Sequence, residues 1–346
     1  MAIDRRTVLL VGGAGYVGSV ITDHLLRNGW HVRCLDQLIY RNESCVWPYL
    51  SYPHYEFMHG DIRDPHITSR ALKNVDAVVV LAGLVGDPIT SKYPDESHAI
   101  NRNGVGSFVD AIQRHPVDRL IFVSTCSNYG LVEEDKAVDE NYPLAPLSLY
   151  AKHKVEMEQK ILGLKGKVGF HPTILRFATA FGLSSRMRFD LTVNEFAREL
   201  HLGKELLVFD PNTWRPYCHV RDFARAIEEV LRAPADDVGF EVFNVGCEEN
   251  NFTKLMVVEE ILKHLPRSKV TYQERGADPR NYRVNFDKIR RVLNFTPEIG
   301  VQQGIGEILA ALSQGLFDHV EERKHFFGNY RIFLPTAHIP DLKRAV

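Results

Sequence analysis

The stretch Thr7-Val8-Leu9-Leu10-Val11-Gly12-Gly13-Ala14-Gly15-Tyr16-Val17-Gly18 decides the reading of this chain. Its first five residues, all β-branched or aliphatic, form the unbroken run expected of a strand covered on both faces. The run breaks into glycines at 12, 15 and 18, and a helical pattern then passes through Val20, Ile21, His24, Leu25 and Leu26. Strand, glycine turn and helix together make an anion-binding arrangement. Gly12 permits a tight turn, Gly15 lets backbone approach a pyrophosphate, and Gly18 lets helix and strand pack closely. The free N–H groups and the helix dipole, at Tyr16 and Val17, then face the ligand.

Working outward, a second apolar run at 31–35 ends at Asp36, eighteen positions beyond Gly18. A carboxylate there can accept both ribose hydroxyl protons of a dinucleotide and would repel a 2′-phosphate. Gln37 follows, where an arginine would favour the phosphorylated cofactor, so NAD is the expected cofactor. Further strand-like runs at 55–58, 77–81, 120–123 and 173–176 alternate with helical segments at 67–73, 103–113 and 149–162. This rhythm predicts an α/β fold, a doubly wound parallel sheet of the Rossmann type.

From Phe181 onward isolated strands, at 205–209 and 269–272, fall between helices, which reads as a smaller C-terminal substrate-binding lobe. A helix at 220–232 and a strand at 240–245 are placed to return to the main sheet. The expected organisation is therefore an NAD-binding domain over 1–180 with 215–246 returning to it, and a lobe mainly over 181–320. A C-terminal extension over 321–346, with Phe326, Phe327, Tyr330 and Phe333, has no role assigned from sequence.

Bulk properties narrow the function classes. Across 346 residues, 42 Lys and Arg balance 44 Asp and Glu, which argues against nucleic acid as a partner. Five scattered cysteines with no C-x-x-C pair predict reduced thiols rather than a disulfide framework. The longest apolar stretch, near Val78 to Gly86, is too short for a membrane helix, and the N-terminus has no signal-peptide pattern. A cytoplasmic protein with no membrane partner is expected. No tight His/Cys/carboxylate cluster predicts a metal; His219 reads as a packed residue, and His98 and His153 as solvated or helix-face histidines.

Tyr150-Ala151-Lys152-His153-Lys154 sets a phenol and an ammonium one helical turn apart on one face. A cation beside the phenol would favour the phenolate, bringing the tyrosine nearer to service as a base at neutral pH. The strand at 120–123 runs into Ser124-Thr125-Cys126-Ser127-Asn128-Tyr129-Gly130, hydroxyls at a carboxyl edge where doubly wound sheets bind ligands.

These features, with Gly60-Asp61-Ile62 and Leu81-Ala82-Gly83, resemble the extended short-chain dehydrogenase/reductase family, which includes UDP-galactose epimerases and dTDP-glucose dehydratases. The resemblance runs from about Thr7 to about Leu312. It implies that Tyr150 is the acid/base on a substrate hydroxyl, that Lys154 holds the nicotinamide ribose and tunes Tyr150, and that Thr125 hydrogen-bonds the same hydroxyl. It also implies that Asp61 and Ile62 line the adenine, that Leu81, Ala82 and Gly83 pass beside the cofactor, and that Asn101 supports the site. Relatives of this kind often form homodimers through the helices at Asn103 and Leu149.

In the second half, Trp214-Arg215-Pro216-Tyr217 and Asp278-Pro279-Arg280-Asn281-Tyr282 are similar to family segments whose arginines grip a nucleotide diphosphate. A guanidinium fork suits phosphate oxygens. Arg186 and Arg188 add positive charge nearby, and Thr179 stands where relatives have an asparagine. Residues 175–191 also look like those of GDP-heptose dehydrogenases. Dehydratases of the family carry an Asp-Glu pair after the threonine; here Cys126 and Ser127 stand there, which disfavours dehydration.

The expected activity is NAD-dependent hydride transfer on a nucleotide-diphosphate sugar, at C4, as an epimerase. A dehydrogenase or ketoreductase that releases its product is the alternative reaction. A non-catalytic dinucleotide sensor has no use for Thr125, Tyr150 and Lys154 together. A reductase of apolar ketones fits Arg215 and Arg280 poorly, because it would desolvate cations without partners.

Overall fold

The computed structural model describes residues 6–132, 136–274 and 280–334. Seven apolar runs pair as one parallel sheet: β1 (Thr7–Val11), β2 (His31–Asp36), β3 (Tyr55–His59), β4 (Ala77–Val80), β5 (Arg119–Thr125), β6 (His171–Phe177) and β7 (Glu241–Val245). Across the sheet the order is β7-β6-β5-β4-β1-β2-β3. The chain runs outward through β2 and β3, then returns to lay β4 on the other side of β1. Loops leaving β1 and β4 therefore diverge and open a crevice at the carboxyl edge, which is where a doubly wound fold binds ligands.

Strand alternation feeds two cores. Val8 and Leu10 join Ile21, Leu25 and Phe243 on one face, while Leu9 and Val11 join Val78, Phe108 and Phe122 on the other. Burial on both sides is why these strands read as unbroken apolar runs. Helix α1 (Tyr16–Arg27) follows the glycine turn, α2 (Leu149–Leu162) follows β5, and α3 (Val220–Arg232) packs against α1.

The second half builds its own core from Phe181, Met187, Phe196, Tyr217, Val257 and Ile308. Thr179–Phe181, Trp214–His219 and Asn251–Thr253 form a three-stranded sheet there. The strands expected to be isolated find one another: Leu206–Phe209 pairs in parallel with Val270–Gln273. Their register joins segments about 60 residues apart, which no local pattern announces.

His219 is 1% exposed and caps α3, its Nδ1 accepting from Arg221 N at 3.2 Å. Burial lowers its pKa to about 4, so it packs neutral. His153 lies on α2, as one of the two expectations had it, but it is buried rather than solvated, its Nε2 3.0 Å from His98 Nδ1. Among the described residues no group of His, Cys and carboxylates could hold a metal, and no helix is long and apolar enough to cross a membrane.

Candidate active site

The glycine turn forms one wall of a cavity of about 510 Å³. Gly12 has φ +90°, and a Cβ there would lie 2.8 Å from Ala82 N, so backbone of the β4 loop occupies the space a side chain needs. A Cβ on Gly18 would lie 2.3 Å from Gly12 O, which is the close helix–turn packing expected of that position. Gly15 differs. A Cβ there would meet only Gly12 O, at 3.3 Å, and the residue borders the cavity. Tyr16 and Val17 border it as well. The Tyr16 phenol, however, donates to Gly182 O at 2.7 Å and accepts from Asn194 Nδ2 at 3.1 Å, pinning α1 to the second lobe.

Asp36 closes the far end. Its carboxylate accepts from Ala14 N at 3.0 Å and from Leu38 N at 2.8 Å, and burial nonetheless raises its pKa. Gln37 donates to Asp61 Oδ2 at 2.9 Å. Asp61 also takes the Arg63 fork, and against the effect of burial these partners hold it below the ordinary carboxylate range.

Ile62, Leu81, Ala82 and Gly83 continue the wall. Leu81 N and Ala82 N both donate to Val11 O, drawing the β4 loop beside the glycine turn. Asn101 clamps that loop from behind: its Oδ1 accepts from Leu84 N at 2.7 Å and its Nδ2 donates to Leu84 O at 2.9 Å. It sits in a π-wound stretch, His98–Gly104, between Pro94–Ser97 and Val105–Ile112, the kind of irregularity that re-aims a side chain.

Ser148 caps α2, its hydroxyl accepting from Ala151 N, and so starts the helix just before Tyr150. Tyr150, Lys154 and Thr125 all line the cavity. Lys154 Nζ donates to Val123 O at 2.6 Å and stands 5.8 Å from the Tyr150 ring centre. Burial lowers Lys154 to about 8, opposed by Glu158.

The expected lowering of Tyr150 by this lysine does not hold in the protein alone. Burial first and the Asp87 charge second push the phenol well above its ordinary value, with Arg188 opposing them. The ammonium is bonded to backbone rather than to the phenol, so desolvation dominates.

Thr125 accepts from Ser127 N at 3.1 Å through its hydroxyl. Ser124, one residue earlier on the strand, points the other way, to Glu158, which forms a buried ion pair with Arg176 at 2.7 Å. Cys126 is buried, with its thiol against Arg176 O, whereas Ser127 reaches the cavity 3.3 Å from the Tyr282 hydroxyl.

Thr179, Arg215 and Arg280 border the cavity from the second lobe. Arg215 Nη1 donates to Trp214 O at 2.7 Å and Arg280 O at 2.5 Å, with its guanidinium 5.2 Å from the Tyr282 ring centre. Arg280 pairs with Asp87 at 2.6 Å. Asp278 and Pro279 of the same motif lie outside the described residues.

Arg186 and Arg188 also border the cavity, Arg186 toward Asp36 and Arg188 near enough to Tyr150 for its charge to act on the phenol. Arg186 stacks 4.1 Å from the Tyr40 ring centre, close enough to Asp36 to favour its ionised form. Arg188 forks Asp190 at 2.9 and 2.7 Å. Tyr40, Asp87 and Asn329 are among the cavity residues that sequence reasoning did not name, and Tyr282 and Tyr330 are ones it named without a site role.

The walls suit a dinucleotide. Gly15 leaves room for a pyrophosphate, and Asp36 faces a cavity in which the buried Arg186 Nε and Tyr40 hydroxyl have no hydrogen-bond partner among the described residues.

Residues 8–246 match the model of the NAD dependent epimerase/dehydratase family. The chain is 27% identical over 332 residues to the UDP-glucose 4-epimerase of Lactobacillus helveticus, covering 88% of this chain and 94% of that one. It is 27% identical over 320 residues to the dTDP-glucose 4,6-dehydratase of Streptomyces niveus, covering 87% and 90%. Its fold superposes with a TM-score of 0.81 on the UDP-glucuronic acid 4-epimerase of Bacillus cereus, solved with UDP-glucuronic acid and NAD, at 21% identity over 89% of this chain and 99% of that one. The chain belongs to the NAD-dependent epimerase/dehydratase family, with NAD as its cofactor.

Proposed function

We propose that this protein is a nucleotide-diphosphate-sugar epimerase acting at C4 of the sugar, with Tyr150 as its acid/base. The observation that carries the reading is the sharing of one cavity: Tyr150, Lys154 and Thr125 meet the glycine turn from one side, and Arg215 and Arg280 close it from the other. Named relatives that act on UDP- and dTDP-sugars support the substrate class.

In this reading Tyr150 takes the proton of the sugar hydroxyl and returns it, while Thr125 orients that hydroxyl. Bound NAD supplies the hydride acceptor and a positive ring beside the phenol. That second charge offsets the burial and the Asp87 charge that hold Tyr150 protonated in the protein alone. Lys154 keeps the ribose in place, and Arg215 and Arg280 hold the diphosphate.

Dehydration finds no support from Cys126, which is buried against backbone, or from Ser127, which is no carboxylic acid. A dehydrogenase that releases its product uses the same groups and differs only in what leaves. The reading includes a cytoplasmic homodimer paired through Val105–Ile112 and Leu149–Leu162, which light scattering after size exclusion would check.

The test begins with thermal shifts for UDP-, GDP-, CDP- and dTDP-sugars in the presence of NAD. NMR of the product from the best binder then reads inversion at C4, with NADH absorbance followed in parallel. No stabilisation by any of them removes the substrate class. Undiminished turnover by Tyr150→Phe removes the acid/base assignment.

A further inference from the structure

The C-terminal extension, which the sequence left without a role, returns to the cavity. Residues 326–334 are tied at three places. At the loop after β2, Phe333 N donates to Ile39 O at 2.7 Å, and the Arg41 guanidinium lies 4.2 Å from the Phe333 ring centre. At the loop after β4, Asn329 Nδ2 donates to Val85 O at 2.8 Å, and from the end of the helix Asp87–Lys92 that follows it Lys92 Nζ donates to Tyr330 O at 2.9 Å. On the lobe, Asn329 N donates to Asp190 Oδ2 at 3.0 Å, Arg186 Nη2 donates to Gly328 O at 3.3 Å, and Phe189 N donates to Phe327 O at 2.8 Å.

Topology gives these ties a meaning. In the sheet β2 and β4 flank β1. A segment fastened to the loops after both strands crosses above the end of β1, which is the glycine turn. Asn329 and Tyr330 accordingly line the same cavity as Gly12 and Gly15. Arg186, held by Gly328, keeps a buried guanidinium on the cavity wall whose Nε has no hydrogen-bond partner among the described residues, a donor suited to an anion.

We infer that residues 326–334 are a clasp of the cofactor site: Asn329 and Tyr330 cover the dinucleotide over its pyrophosphate, and cofactor enters and leaves only when the clasp lifts from the β2 and β4 loops. The inference rests on the NAD site proposed above. A tail that merely packed against the surface would leave cofactor exchange unchanged, so the two roles separate kinetically.

The experiment uses the full chain. NADH is bound, excess NAD is mixed in, and the loss of bound NADH fluorescence gives a dissociation rate. Two variants are compared with the native chain: Asn329→Ala/Tyr330→Ala, which opens the wall over the cavity, and Phe333→Ala, which loosens the far tie at the β2 loop. Each is expected to speed dissociation at least tenfold while the cofactor-free melting temperature stays within a few degrees.

A folded variant that releases NADH at the native rate overturns the clasp. Collapse of both variants also counts against it, since the segment would then serve the core. A native chain that binds no NADH at all overturns the functional reading itself, so the two failures are distinguishable.

Discussion

Asp87 and Arg280 join the two halves of the protein across the cavity, carboxylate to guanidinium at 2.6 Å. Asp87 opens a short helix, Asp87–Lys92, just after the β4 loop, and Arg280 comes from the second lobe nearly 200 residues later. The other carboxylate oxygen of Asp87 is buried without a partner among the described residues. Its charge also acts on Tyr150, raising the phenol's pKa after burial has done so. One side chain therefore holds a diphosphate-binding candidate and opposes the phenolate.

The sign of an Asp87→Asn change follows. Removing a negative charge near a phenol makes its ionisation easier, so the acidic limb of the kcat/KM profile against pH should move to lower pH. Rate measurements across pH 5 to 10 with the best-binding sugar nucleotide of the thermal-shift screen would read it. A limb that stays put, or moves up, removes Asp87 from the electrostatics of Tyr150.

Arg280→Gln tests the same pair from the other side. If Arg280 exchanges Asp87 for diphosphate oxygens when substrate enters, its loss removes a charge-assisted hydrogen bond. Such a bond is worth roughly 1.5–3 kcal/mol, or about ten- to a hundredfold in affinity. KM should rise by that factor with kcat less affected, and Arg280→Lys should restore it only partly, because an ammonium lacks the fork. An unchanged KM would leave Arg280 as a structural tie to Asp87.

Local pattern made part of this site legible. The glycine spacing, Asp36 at a strand end, and Tyr150 with Lys154 one turn apart are periodic or adjacent features, and all of them border one cavity. Asp87 and Asn329 carry no such signature. Each acts through a partner far along the chain, Arg280 for one and Val85 and Asp190 for the other, and single-sequence reading has no means to pair them. The Tyr150 environment was misread for a related reason. Spacing placed the cation on the right helix face, but the Val123 carbonyl that accepts its hydrogen bond lies on β5, and the burial and Asp87 charge that raise the phenol come from tertiary packing.

Two glycines of the turn should respond oppositely to a side chain. Gly15→Val adds atoms on the open side, where only Gly12 O lies nearby at 3.3 Å, so the fold should survive while NAD binding is lost. Gly18→Ala forces a Cβ to 2.3 Å from Gly12 O, in a buried helix–turn contact. Overpacking of that kind costs about 1–3 kcal/mol, so the melting temperature of the cofactor-free protein should fall for Gly18→Ala and hold for Gly15→Val. Calorimetry with and without NAD separates the two, and a Gly15→Val protein that still binds NAD would remove the pyrophosphate from this turn.

Lys154 offers a test of stability against function. Burial lowers its ammonium from the ordinary 10.5 to about 8, with Glu158 holding it up in part. A lysine whose pKa is depressed by folding costs stability wherever both states are protonated, which is below about pH 8. The depression corresponds to about 3 kcal/mol. As pH rises from 8 toward 10.5 the folded form sheds its proton first, and the cost disappears. Lys154→Met keeps the side-chain length and removes the charge, at the loss of a charge-assisted hydrogen bond to Val123 O worth roughly 1.5–3 kcal/mol and of the ammonium's place 4.6 Å from the Phe122 ring centre. These contributions roughly offset at pH 7, and only the trend has a fixed sign: the stability of the cofactor-free variant relative to the native chain should fall steadily as pH rises from 8 toward 10. Turnover and NAD affinity should fall together at every pH. Urea melts at pH 7 and 9.5 read the trend directly, and a relative stability that does not fall between them would show that Lys154 does not titrate below its ordinary range.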